Sequence, residues 1–112
     1  MEERRKFDRV RLPASAGVYA LDEDGKRLGR VLKIGAGGLV LETAAQLAEG
    51  SPHHIVLVEE SEHIRRPLVV VFRFRSPEGI VLEFRAVDIE AAIDIGIIIG
   101  KYSSQVQAAA CA

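Results

Sequence analysis

Apolar residues in this chain come in short runs separated by clusters of glycine, proline and charge. Residues 14–21 are apolar and carry Val18 and Tyr19, which predicts a first strand. Asp22-Glu23-Asp24-Gly25-Lys26 ends it, and the Asp-Gly pair supplies the positive φ of a tight hairpin. Residues 27–34 alternate loosely as a second strand. Gly35-Ala36-Gly37-Gly38 forms an elbow whose glycines admit φ values closed to other residues and let backbone N–H groups face outward. Residues 39–43 read as a third strand, 44–50 as a loop or short helical turn, and 54–59 as a fourth strand. Residues 60–66 are charged and turn-like, and Pro67 opens the next segment. In Phe72-Arg73-Phe74-Arg75 the period of two puts both phenylalanines on one face and both arginines on the other. Ser76-Pro77-Glu78-Gly79 is a turn, and residues 80–87 form a last strand with Leu82 and Phe84 on one face.

Beyond Asp88 the pattern changes. Ile89, Ala92, Ile93, Gly96, Ile97 and Gly100 fall at offsets of three and four, which fits one helix face with Asp88 as N-cap. Against a helix stand the β-branched Ile97-Ile98-Ile99 and two glycines, each weakening a helix by roughly 1 kcal/mol relative to Ala. Helix is favoured over strand. Several short strands at regular spacing followed by a helix indicate a mostly β domain, a small barrel or sandwich. A closed barrel also removes exposed strand edges.

The chain has 112 residues, enough for one domain with a real core. It is 48% hydrophobic and 28% charged, as a globular chain is. Fifteen basic and 16 acidic residues give a net charge of −1, so any anion site must be local and no nucleic-acid partner is expected. Six aromatics are too few for a single-strand-binding groove. The longest apolar stretch, 91–99, contains Asp94 and is far short of a membrane span. The one cysteine, Cys111, offers no disulfide framework, no signal peptide is visible, and a cytoplasmic location is the expectation.

Catalytic and metal chemistry find no support. His53 and His54 are adjacent and point to opposite faces of a strand, and His63 meets His54 only across a hairpin. No zinc, calcium or nucleophile motif is present. The elbow lacks GxxxxGK[ST], and a strand rather than a helix follows it, so a phosphate loop is excluded. No catalytic residue, metal or cofactor is expected, and the protein is read as a binding domain rather than an enzyme.

Two features carry binding chemistry. One is Arg5-x-x-x-Arg9 in a charged N-terminal arm, backed by Arg4 and Arg11, because guanidinium forks suit phosphate and the O6/N7 edge of guanine. The other is the glycine elbow some 25 residues later. An arginine arm, two strands, a glycine elbow and a hydrophobic strand in this order resemble the PilZ domain family, whose members place an RxxxR segment before a six-stranded barrel and [D/N]xSxxG at the turn between the second and third strands. Lys33-Ile34-Gly35-Ala36-Gly37-Gly38 occupies that second motif, Leu82-Glu83-Phe84 looks like the end of the last barrel strand, and the tail from Asp88 resembles the closing helix. The resemblance implies a six-stranded antiparallel split barrel over 13–103 with a helix at 88–103, behind a flexible arm at 1–12 and before a disordered tail at 104–112. It implies cyclic di-GMP as ligand, with Arg4, Arg5, Arg9, Lys33, Gly35, Gly37 and Gly38 forming the site.

Lys33 stands where the family has Asp or Asn, and Gly35 where it has Ser. Lysine is donor-only and cannot accept from the guanine N1–H and N2–H₂ edge. A lost acceptor costs about 1–3 kcal/mol, roughly 5- to 150-fold in affinity. Two readings follow. The first is a regulatory receptor that changes conformation or partner on binding cyclic di-GMP. The second is a degenerate relative that binds no nucleotide and acts through protein contacts. A protein partner is expected in both, and Gly96-x-x-x-Gly100 keeps a homodimer open, although packing of these glycines on the protein's own barrel is the favoured explanation.

Overall fold

A computed structural model describes residues 9–111, with side chains for 9–103. Seven strands precede one helix: β1 (Val10–Arg11), β2 (Val18–Leu21), β3 (Arg27–Gly35), β4 (Gly38–Glu42), β5 (Pro52–Glu59), β6 (Ile64–Arg75), β7 (Ile80–Arg85) and α1 (Ile89–Cys111). All strand pairings are antiparallel, in the order β1-β3-β2-β5-β6-β7-β4, and β4 returns to pair with β3. Strands β2 to β7 therefore close into a six-stranded barrel, as the family resemblance implies, and β1 is an addition.

The addition positions the site. One edge of β3 pairs with β2 over Arg27–Arg30 and then with β1 at Lys33 and Ile34. The segment read as the end of a flexible arm thus contributes a strand, because Leu12 is buried and its N–H reaches the Leu32 carbonyl at 2.9 Å. The first barrel strand is shorter than expected. Ala14 and Ser15 lie in a turn closed by the Ala16 N–H on Pro13 O, which delays the strand to Val18.

The first hairpin is as predicted. Gly25 has φ +84°, its N–H reaches Asp22 O at 3.0 Å, and Asp22 Oδ1 accepts from the N–H groups of Asp24 and Lys26. The elbow differs from expectation. Positive φ among glycines occurs at Gly25 and Gly50, not in 35–38. What glycine provides there is close approach: a Cβ on Gly38 would lie 2.3 Å from Leu82 O, and Phe84 N–H donates to Gly37 O at 3.0 Å. The elbow is pressed onto β7.

Inward residues of every barrel strand fill one core, with Val18, Val31, Ile34, Leu39, Leu41, Leu57, Val70, Ile80 and Leu82 at most 1% exposed. A second small cluster, Leu32, Val40 and Val81, is buried apart from it.

Asp88 caps α1, its Oδ1 accepting from Ala91 N–H at 2.8 Å. The helix continues to Cys111, past the predicted end at 103 and through the stretch expected to be disordered. The packed face also differs. Ala91, Ile95, Ile98 and Tyr102 are buried, whereas Ile89, Ile93 and Ile97 are exposed, and a Cβ on Gly96 or Gly100 would meet nothing within 4 Å. The segment is apolar nearly all round, so periodicity marks two faces and the barrel selects one. The two glycines do not pack on the protein's own barrel. Charged anchors sit on one flank of α1: Arg66 Nε reaches Asp94 at 2.8 Å, with Glu90 3.6 Å from its Nη1. Among the described residues no helix is long and apolar enough to cross a membrane.

Candidate binding cleft

A bulge in β6 makes the site. Phe72 pairs with Leu82, but Phe74 pairs with Val81, so Arg73 is an extra residue and the alternation breaks. The two phenylalanines therefore do not share a face. Phe72 stays buried at 8% exposure, and Phe74 turns outward to 54%. Beside it, Glu49 bridges to Phe72, and Gly50, at φ +80°, donates its N–H to Phe72 O at 2.9 Å. That pins the loop before β5 across the bulged strand.

These elements surround an open cleft of about 600 Å³, within the range of small-molecule sites. Arg9 lines it just before β1, Gly35 and Gly37 at the elbow, Glu49 and Gly50 on the loop, Phe72, Arg73 and Phe74 on β6, and Val81 and Glu83 on β7. Arg73 and Glu83 are ion-paired at 3.6 Å and both more than half exposed. The walls offer guanidinium donors, carboxylate acceptors and an aromatic face, the groups that recognise a nucleotide.

Of the residues singled out from the sequence, Arg9, Gly35 and Gly37 come together in this cleft. Arg4 and Arg5 lie outside the described residues. Gly38 is packed on the β7 backbone. Lys33 is engaged elsewhere: its ammonium is 3.2 Å from Glu78, which also accepts from Arg11 at 2.6 Å. Bonds from Arg11 and Lys33 hold the Glu78 carboxyl below its ordinary value. A lysine in this register is accounted for by an ion pair between β3 and the β6–β7 turn. Glu49, Arg73, Phe74 and Glu83 were not singled out as site residues. A bulge that reorients alternate positions leaves no mark on the hydrophobic pattern. Among the described residues no cluster of three or more potential metal ligands occurs.

Comparison with known proteins places the architecture. The family model described as PilZ domain matches residues 3–99. The PilZ domain with c-di-GMP of YcgR from Escherichia coli superposes with a TM-score of 0.74 at 18% identity, covering 96% of this chain and 98% of that one. The K. pneumonia MrkH–c-di-GMP complex superposes with a TM-score of 0.75 at 17% identity, covering 95% of this chain and 55% of that one, so the chain spans about half of MrkH. Among curated proteins no sequence matches significantly.

Proposed function

Because the chain belongs to the PilZ domain family, we propose that it is a non-enzymatic regulatory receptor domain for cyclic di-GMP. The observation that carries this reading is the meeting of Arg9 with Gly35 and Gly37 in one cleft, the end of the arginine arm against the elbow. β1 is anchored on β3 at Ile34 and Lys33, directly before the elbow. Arg5 precedes Arg9 by four positions in the same arm of the sequence. Arg4, Arg5 and Arg9 are proposed to clamp phosphate and guanine over the elbow backbone. The two solved structures named above are complexes with c-di-GMP, which supports the ligand class. The reading includes a cytoplasmic location, a protein partner that senses the arm, and no metal or cofactor.

Titration calorimetry with cyclic di-GMP tests it. Saturable binding that is lost in Arg5→Ala and in Arg9→Ala is the expected result, and no heat at high protein concentration overturns it. A second reading, a module that binds protein rather than nucleotide, is favoured by the outward Ile89, Ile93 and Ile97, exposed at 76, 56 and 42%. It predicts the same silent titration together with self-association, or capture of a partner, that Ile93→Asp abolishes.

A further inference from the structure

Guanine presents two adjacent donors, N1–H and N2–H₂, on one edge, and O6 with N7 on another. Full recognition needs an acceptor pair for the first edge, a donor pair for the second and a flat apolar surface for the ring. The elbow supplies no side-chain acceptor: residue 35 is glycine, and Lys33 is a donor already tied to Glu78. The cleft, however, contains two carboxylates from outside the elbow. Glu83 is ion-paired with Arg73. Glu49 is exposed, and it is held in place through its backbone by the bridge to Phe72 and by the neighbouring Gly50 hydrogen bond rather than through its carboxylate. Its backbone is thus fixed at the cleft rim, and among the described residues no hydrogen bond or ion pair engages its carboxylate, which lines the same cavity as the exposed Phe74 and Arg9.

We propose that Glu49 supplies the acceptor pair for the N1–H/N2–H₂ edge of a guanine base that stacks on Phe74 and is held at O6/N7 by Arg9. The inference rests on the cyclic di-GMP reading and gives its specificity a residue. Acceptor function has moved from the elbow side chain to the loop before β5, so the Lys33 and Gly35 departures need not cost guanine selectivity. A carboxylate also rejects adenine, whose corresponding edge presents an acceptor at N1.

The test is calorimetry of the full chain with cyclic di-GMP, with cyclic di-IMP (identical but for the missing 2-amino group) and with cyclic di-AMP. Wild type is expected to bind the guanine form about tenfold tighter than the inosine form, one lost charge-assisted hydrogen bond. Glu49→Gln is expected to weaken cyclic di-GMP at least tenfold and bring the guanine-to-inosine ratio near one. Glu83→Gln is expected to keep that ratio, and Phe74→Leu to weaken all purine forms by a similar factor. Circular dichroism confirms that each variant is folded. If wild type and Glu49→Gln show the same ratio while Arg9→Ala abolishes binding, this inference fails and the receptor reading stands. If Glu83→Gln removes the ratio, the acceptor is Glu83 and the assignment is wrong. If wild type binds none of the three nucleotides, both fail.

Discussion

Tyr102 of α1 donates its hydroxyl hydrogen to Glu59, at the end of β5, across 2.9 Å. Glu59 is 1% exposed, yet its oxygens also accept from Ser61 Oγ at 2.8 and 3.0 Å and from Glu62 N–H at 2.6 Å. Lys101 Nζ stands 3.4 Å away and also bonds Ser61 Oγ. A buried charge is tolerated only when so fully partnered, and here the partners come from both barrel and helix. The network fastens the C-terminal half of α1 to the barrel.

Tyr102→Phe removes one of these donors and leaves the carboxylate under-bonded. The expected loss is about 1–3 kcal/mol in equilibrium urea denaturation. A variant as stable as wild type would mean that water or Lys101 replaces the hydroxyl.

The same network sets a pH dependence. Burial pushes the Glu59 carboxyl up, but bonds from Glu62 N–H, Ser61 and Tyr102 and the Lys101 charge outweigh it and hold the group below its ordinary value of 4.5. The stability it contributes is complete above 4.5 and is lost as pH falls through the lower folded-state value. Burial and donation to Glu59 push Tyr102 up to about 12 from 10.0, so its contribution is complete below 10 and is lost as pH rises toward 12. Denaturation midpoints measured across pH should fall at both ends. Glu59→Gln should flatten the acid limb and Tyr102→Phe the alkaline one.

Helix substitutions should separate the two apolar faces of α1. Ile98, fully buried, is expected to cost about 2–5 kcal/mol on Ile98→Ala. Ile93→Ala, on the exposed face, should stay within about 0.5 kcal/mol. Gly96→Ala and Gly100→Ala should each stabilise by roughly 1 kcal/mol, since no atom within 4 Å opposes the new methyl. Thermal melts of the four variants give the comparison.

Gly38→Ala should behave in the opposite way. Its methyl would sit 2.3 Å from the Leu82 carbonyl oxygen, forcing β4 from β7 beside the elbow. A cost of about 1–3 kcal/mol is expected, as for an overpacked core, with weakened ligand binding alongside. Unchanged stability would show that the β4–β7 register can relax.

Lys33→Ala should raise the Glu78 carboxyl toward its ordinary value, because Lys33 and Arg11 together hold it down. Carboxyl titration by nuclear magnetic resonance reads this directly. Lys33→Asp, which restores an acidic residue at this place in the elbow motif, would set a carboxylate against Glu78 and is expected to lower stability. Adding Glu78→Lys should recover it.

Much of the barrel is legible in one dimension. Alternating apolar residues, the Asp24-Gly25 turn and the Asp88 cap are local signals, and local sterics and hydrogen bonding decide them. The order of arginine arm, elbow and strand was likewise enough to bring the family into view. Glu59 and Tyr102, 43 positions apart, gave no such signal, since nothing local marks a charge that will be buried.

The sequence by itself determined the strand-rich domain and its closing helix, because each follows from the conformational preference of short segments, while the order of its motifs, through the family resemblance, pointed to Arg9, Gly35 and Gly37. Tertiary structure alone decided which apolar face of α1 is buried, that Arg73 bulges and turns Phe74 outward, that Lys33 belongs to Glu78, and that Glu49 reaches the cleft. Each of these depends on which distant strand lies alongside. Barrel closure settles that through the burial of many side chains at once, and no window of neighbouring residues contains it.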